Sequence, residues 1–374
     1  MRAHLAGTAP ADPVVESTQE LLRARRGEDF SRFDGNLAGL AGLPDHAAGT
    51  TAVSPTALES YAACPHDYLL RRLLRVEPVE APEEIITISA TDLGSLVHEA
   101  MDRLVTEAAE RGELPGHGQP WTSSQRARLL ELGEQVGARY QAEGRTGHPR
   151  LWARQEQWVR TVLDRMLTDD DAWRAKHDAA VVTSELKFGL DGTPPVRVPL
   201  PDGRAVLLRG SADKVDRRRD GTLLVADIKT GKKESFKGLD EDPVLGGSKL
   251  QLPAYALAAR AAHGQAHTPV EALYWFTGRA TGRVQLPLTD AVMERYAEAL
   301  ALLVDGIARG LFPQRAPKAA DYGYTQCSAC NPDCLGHAAV RERWEALRGT
   351  AALRAYTALV EPDALDGSAE EDEV

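Results

Sequence analysis

"LLVADIKTGKK", residues 223–233, is apolar up to an aspartate and a lysine two positions apart, and then breaks at a glycine. Side chains two apart leave a strand on the same face. Leu223, Val225, Asp227 and Lys229 therefore share one side, and Leu224, Ala226 and Ile228 the other. Both faces are apolar until Asp227, which predicts a strand buried on both sides, and charge at the end of such a strand carries a desolvation cost. A plain ion pair at a strand end accounts for this fragment as well as a functional site does. A phosphate-binding loop does not, because the Walker pattern needs a glycine at Ala226 and a Ser or Thr at Lys233.

Outward from this stretch, "AAVVTSELKFGL" (179–190) and "AVLLRGSADKVDRRR" (205–219) also read as strands, separated by "DGTPP" and "RDG" turns. "SKLQLPAYALAARAAHG" (248–264) reads as a helix, "VEALYWFTG" (270–278) as a strand, and "TDAVMERYAEALALLVDGIARG" (289–310) as an amphipathic helix with a glycine stop. Upstream, "SPTALESYAACPHDYLLRRLL" (54–74) opens a helix with a Ser cap and a Pro, "TDLGSLVHEAMDRLVTEAAERG" (91–112) continues in helical periodicity, and helical segments run to about residue 178. This order predicts an α/β core with a mixed sheet, preceded by a helical segment. The first fifty residues are rich in Ala, Gly and Pro, carry one short helical pattern at "VESTQELLRARRG" (15–27), and read as a partly mobile extension.

The chain has 374 residues, 43% hydrophobic and 26% charged, which suits one large or two medium globular domains. No apolar run approaches the roughly 20 residues of a membrane span, and the start has no signal-peptide pattern, so a cytoplasmic location is expected. A net charge of −11 argues against a nucleic-acid partner at first sight. Seven acids and no bases lie in the last fourteen residues, however, which leaves −4 to residues 1–360 and makes the veto weak. Basic runs persist at Arg71, Arg72 and Arg75, at Arg217 to Arg219, and at "KTGKK", though such runs are commonly solvated faces.

Asp213 and Asp216 stand in "GSADKVD", on the strand before Asp227. Antiparallel strands joined by the "RRRDG" turn can bring Asp213 beside Asp227, since paired strands lie about 4.8 Å apart. Two carboxylates at that separation repel unless a cation lies between them, and magnesium or manganese suits carboxylates with a phosphate. Lys229 would then steady a water nucleophile or the charge that grows on phosphorus. Asp216 reads as structural or a surface charge.

The set "LGSLVHEAMDRLV", "SELKF", "GSADKVD", "VADIKTGK" and "QLPAYALA" resembles the PD-(D/E)XK nuclease superfamily in its RecB/AddB-type exonuclease branch, over roughly residues 54–340. The resemblance implies a restriction-endonuclease-like core, a central mixed β-sheet flanked by helices, with a cluster-bearing C-terminal region. It further implies that His98, Asp213 and Asp227 hold a metal with the carbonyl of Ile228, and that Lys229 is the catalytic lysine. Gln251 and Tyr255, on one helix face at i and i+4, match an element that supports the site and touches DNA. Glu185 matches a carboxylate on the first core strand. Lys214 stands where the family commonly has an arginine, with no loss of chemistry expected.

Four cysteines complete the pattern: Cys64, then Cys327, Cys330 and Cys334 in "YTQCSACNPDCLGH". Disulfides have little place in a cytosolic protein, so this spacing reads as a metal site, with tetrahedral zinc the generic alternative. One isolated cysteine with a compact trio resembles the iron–sulfur arrangement of AddB-type nucleases, which implies a 4Fe-4S cluster and leaves His337 as a neighbour. Such a cluster would close a loop spanning nearly the whole domain.

The function implied is Mg²⁺- or Mn²⁺-dependent hydrolysis of DNA phosphodiester bonds to 5′-phosphate products, by an exonuclease on single-stranded or helicase-unwound DNA in break repair and recombination. "RRGEDFSRFDGNLAGL" (25–40) resembles the connector that joins a helicase half to its nuclease, so a helicase subunit or fused half is the expected partner. Residues 1–51 would be this extension and residues 52–345 the nuclease domain closed by the cluster. Within it, the helical insert spans about 100–178, the core about 179–312 and the cluster loop 327–334; residues 346–374 would form a helix and acidic tail. Two alternatives stand beside this one: a CRISPR-associated four-cysteine exonuclease, and a catalytically silent DNA-binding module. The complete His98, Asp213, Asp227 and Lys229 set argues against the silent module.

Overall fold

The computed structural model describes residues 13–77, 85–318 and 336–366. Helices α1 (Pro13–Ala24), α2 (Pro55–Ala63) and α3 (Pro65–Tyr68) precede the longer α4 (Ala90–Glu110), α5 (Ser123–Ala142) and α6 (Pro149–His177). Strands β1 (Ala179–Phe188), β2 (Val196–Pro199), β3 (Ala205–Leu208), β4 (Gly210–Arg218) and β5 (Leu223–Lys229) follow. Then come α7 (Gln251–His263), β6 (Val270–Phe276), β7 (Gly282–Pro287) and α8 (Asp290–Ala308), with further helices at His337–Leu347 and Arg354–Val360.

A five-stranded sheet in the order β1-β4-β5-β6-β7 forms the centre, and β2-β3 is a separate hairpin. β4 is antiparallel to β1 and β5, β5 and β6 are parallel, and β7 is antiparallel to β6, so the sheet is mixed as expected. The parallel pair requires a crossover, which α7 supplies. The sheet and its flanking helices are those of a restriction-endonuclease-like α/β fold.

β5 is shared by two apolar layers. Leu223 and Val225 pack with α2, α7 and α8. Ala226 and Ile228 pack with α4, α5 and α6. The alternation in the sequence thus maps onto two cores, and burying each large apolar side chain of the strand contributes about 1.5–3 kcal/mol. α4 buries Leu96, Val97, Ala100, Met101, Leu104 and Val105 along one stripe, and its N-terminus is capped by Ser89, which accepts from Asp92 N at 2.9 Å.

The β4–β5 turn is local chemistry. Gly221 adopts φ +92, a left-handed conformation that favours glycine, while Asp220 Oδ1 accepts from Thr222 N at 2.8 Å. At the far end of β5 a Cβ on Gly278 would stand 2.0 Å from the Thr230 carbonyl oxygen. Only glycine allows that approach, which fixes the chain just after Lys229.

Four elements differ from the expectation. The single strand over 205–219 divides at Arg209, where β3 pairs with β2 and Arg209 N donates to Val53 O at 3.0 Å. The helix over 54–74 breaks at Cys64, whose backbone is extended (φ −158, ψ 107) because Pro65 disfavours helical geometry in the residue before it. β2 and β7 were not expected, being short and half exposed.

Residues 30–38 are tied to the domain: Leu37 N donates to Gly310 O at 2.8 Å, Phe312 N to Gly35 O at 2.9 Å, and Arg343 brackets Asp34 at 2.8 and 2.9 Å. No helix among the described residues is long and apolar enough to cross a membrane.

Candidate active site

The site forms where the ends of β1, β4 and β5 meet the first half of α4. The β4–β5 register pairs Lys214 with Ala226, so one step further puts Asp213 opposite Asp227. In β1, Ser184 pairs with Lys214 and Leu186 with Ala212. Glu185, left between them, has a positive φ of 44. Strained backbone of this kind persists where surrounding structure imposes it, and here it puts Glu185 beside Asp213.

Ligand atoms of His98, Glu185 and Asp213 all lie within 4.8 Å of one another, a spacing that one cation can bridge. His98 Nδ1 is 3.3 Å from Asp213 Oδ1, and Asp213 Oδ2 accepts from Ile228 N at 2.5 Å. Ser211 Oγ donates to Glu185 Oε2 at 2.7 Å. A cleft of 790 Å³ opens over them, lined among others by His98, Asp102, Glu185, Ile228, Lys229 and Thr230.

Asp227 is buried and outside that close trio. Lys229 Nζ lies 2.5 Å from Asp227 Oδ2, but off the line a hydrogen bond requires, so this buried oxygen has a counter-charge and no aligned donor. Lys229 Nζ donates to Gln251 Oε1 at 3.0 Å, and Lys229 lines the cleft.

The charges are poised for a divalent ion. Burial pushes the Asp227 carboxyl up to about 7; Lys229 opposes this and Asp213 reinforces it. Burial also holds Glu185 above the usual carboxylate value, opposed by Ser211 and reinforced by Asp213 and Asp102. For His98, burial disfavours the imidazolium, but the Asp213 carboxylate outweighs it and lifts the group to about 9. Two carboxyl groups held above their usual range, and a histidine held charged by Asp213, are what a cation would relieve. The donor set of carboxylate oxygens with one imidazole fits magnesium or manganese.

The structure therefore brings together His98, Glu185, Asp213, Asp227, Lys229, Ile228 and Gln251. Tyr255, one turn after Gln251, is buried with its ring edge-on to Phe188 at 6.0 Å. Lys214 and Asp216 point away from the cleft: Lys214 Nζ pairs with Asp170 Oδ1 at 2.9 Å and with Asp216, all of them buried. Asp216 is structural.

Sequence reasoning missed Asp102 and Glu59. Asp102 lines the cleft one turn after His98, on the same helix face, and accepts from Ser184 Oγ at 2.6 Å. The i,i+4 spacing was the available signal. Glu59 gave none: it lies in α2 and accepts from Leu250 N, the residue before Gln251, at 2.6 Å.

Cys64 is buried against Ala316 and the half-buried Val340. Cys327, Cys330 and Cys334 lie outside the described residues. His337, close to that segment in sequence, has Nε2 2.9 Å from Pro317 O.

The profile of the PD-(D/E)XK nuclease superfamily matches residues 52–333. Among curated proteins, the chain is 29% identical over 218 residues to one subunit of an ATP-dependent helicase/deoxyribonuclease of Symbiobacterium thermophilum, covering 55% of this chain and 17% of that protein. It is 29% identical over 242 residues to the protein of the same name from Moorella thermoacetica, covering 60% and 19%. With the one from Carboxydothermus hydrogenoformans it shares 26% identity over 281 residues, covering 71% and 23%. The chain thus spans about a fifth of the length of these relatives.

Proposed function

The chain belongs to the PD-(D/E)XK nuclease superfamily, and from that premise we propose that it is a divalent-cation-dependent deoxyribonuclease, an exonuclease on single-stranded or unwound DNA ends in break repair. One observation carries this: the convergence of His98, Glu185 and Asp213 within 4.8 Å of one another, beside the Asp227–Lys229 pair. His98, Asp213 and Asp227 would hold the ion with the Ile228 carbonyl, and Glu185 would complete the set. Bound there, magnesium or manganese would supply charge to a phosphate oxygen and lower the pKa of a water.

The chain's own residues do the rest. Lys229, held by Gln251, brings an ammonium group to the cleft, where it steadies the incoming water or the charge on phosphorus. Asp213 is oriented by the Ile228 amide. Ser211 and Ser184 fix Glu185 and Asp102 by hydrogen bonds.

Partners follow from the relatives, whose names join a helicase to a deoxyribonuclease. We read this chain as the nuclease working with such a motor, fused or separate, with residues 25–40 as the connector. We also propose a 4Fe-4S cluster on Cys64, Cys327, Cys330 and Cys334. Its support is the buried Cys64 packed between Ala316 and Val340, which stand on either side of the segment that carries the other three.

The test is cleavage of end-labelled single- and double-stranded DNA by the purified chain, with and without magnesium, alongside Asp213→Asn and Lys229→Ala. Magnesium-dependent shortening from an end, absent in both variants, is expected. Equal cleavage by either variant would refute the assignment.

A further inference from the structure

Helix α7 begins without a cap of its own. Its N-cap residue Leu250 supplies no side-chain hydrogen bond, and its first turn has no acidic residue. Pro253 lacks an N–H, so the donors left at this end belong to the first residues, Gln251 among them. This end of the helix is also the part that matters to the site, because Gln251 is its first residue and holds Lys229 Nζ at 3.0 Å.

The missing cap arrives from another helix. Glu59, in the middle of α2 and almost two hundred positions earlier, accepts from Leu250 N at 2.6 Å. Its carboxylate also interacts with Gln251 N, and lies close enough to Lys249 and Lys229 to feel both charges. On the other side of the same residue, Tyr296 OH donates to Leu250 O at 3.0 Å. Leu250 is thereby gripped at both backbone atoms, and a carboxylate at a helix N-terminus is favoured by the helix dipole.

We propose that Glu59 is a positioning residue of this site: it caps α7 in trans from α2, and by fixing the first turn of α7 it fixes Gln251 against Lys229. It acts through Gln251, not on the substrate. The catalytic part of this inference rests on the nuclease reading above. The same α2 ends at Cys64, five residues beyond Glu59, so one short helix serves the cysteine region and the site together.

The experiment uses the full chain as wild type, Glu59→Ala, Glu59→Gln, Gln251→Ala and the double variant Glu59→Ala/Gln251→Ala. Two readouts need no cleavage: hydrogen exchange at the Leu250 and Gln251 amides, and the NMR resonance of the Lys229 side chain. In Glu59→Ala those amides should exchange about tenfold faster, the value of a lost cap, and the Lys229 resonance should move as it does in Gln251→Ala. Glu59→Gln, whose amide oxygen still accepts, should restore both. For DNA cleavage, Glu59→Ala should lower kcat about tenfold with KM within about twofold, and the double variant should be no slower than Gln251→Ala.

Unchanged exchange and an unmoved Lys229 resonance would overturn the proposal, as would effects on kcat that multiply in the double variant. A wild-type chain inert on DNA sinks the nuclease reading alone, and the exchange and resonance data then decide the role of Glu59. If Glu59→Ala does not fold, Glu59→Asp, which withdraws the carboxylate by one methylene, carries the same expectations.

Discussion

Asp213 Oδ2 lies 2.5 Å from the backbone nitrogen of Ile228, so the carboxylate of one strand is oriented by the main chain of the next, between Asp227 and Lys229. Asp213→Asn keeps the size of the side chain and turns an acceptor toward or away from that amide, but removes the charge a cation needs. Cleavage should fall at least about 100-fold, with the far-ultraviolet circular dichroism spectrum unchanged. Isothermal titration with Mn²⁺ should show binding weakened in parallel.

Asp227 gives a prediction for stability as well as for cleavage. Its folded pKa is raised from 3.8 to about 7, so between these values the folded state holds a proton that the unfolded chain has released. Stability from this group is full below 3.8 and is lost as pH rises through about 7. Asp227→Asn removes the titration. In chelator, its melting temperature should exceed that of wild type at pH 8, and the gain should shrink at pH 5 and vanish only below 3.8; with magnesium restored, cleavage should be abolished at pH 8.

Lys214 is expected to matter for folding and not for chemistry. It is 1% exposed and pairs with Asp170 and Asp216, which are also buried. Lys214→Met leaves those two carboxylates buried with one fewer cation, at a cost of about 3–5 kcal/mol. Urea denaturation should show that loss, while residual folded protein cleaves at the wild-type rate.

Arg343 clasps residues 24–34: besides Asp34 it donates to the carbonyl oxygens of Ala24, Gly27 and Asp29. Arg343→Ala should expose this segment to limited trypsin digestion at Arg25 and Arg26 with the rest of the domain resistant. Burial raises the Asp34 pKa, but Arg343 and Ser31 outweigh it and hold the group below 3.8. The clasp should therefore persist at neutral pH and loosen only as pH falls through that lowered value.

Cys64 tests the proposed cluster. Cys64→Ser in anaerobically purified protein should bleach the visible absorbance and lower the melting temperature by several degrees, since the clasp closes a long loop. A colourless wild type that carries one zinc per chain would replace the cluster by zinc at the same cysteines.

Much of this architecture could be read from β5, because alternation of side chains on a strand is a rigid geometric rule: Leu223 and Val225 did go to one core and Ala226 and Ile228 to the other. Asp213 and Asp227 followed from the tight turn between their strands. Glu185 was harder, as its place beside Asp213 depends on a positive φ that no side-chain pattern announces. Glu59 was out of reach altogether, since the hydrogen bond to its partner Leu250 spans 191 positions and only the tertiary fold brings the two together. Lys214 was legible as present but not as to direction, because β4 alternates between the cleft and a buried ionic network.

β5 is packed on both sides by apolar residues that take no part in the chemistry, with the acid and ammonium confined to its last three positions. A duplicated gene that decayed at Asp227 and Lys229 would lose the charges the proposed chemistry needs and still produce the same strand in the same place. Shape, in such a lineage, is inherited separately from competence. Whether a sister protein keeps the proposed activity must then be judged from those few end positions and not from the likeness of the folds.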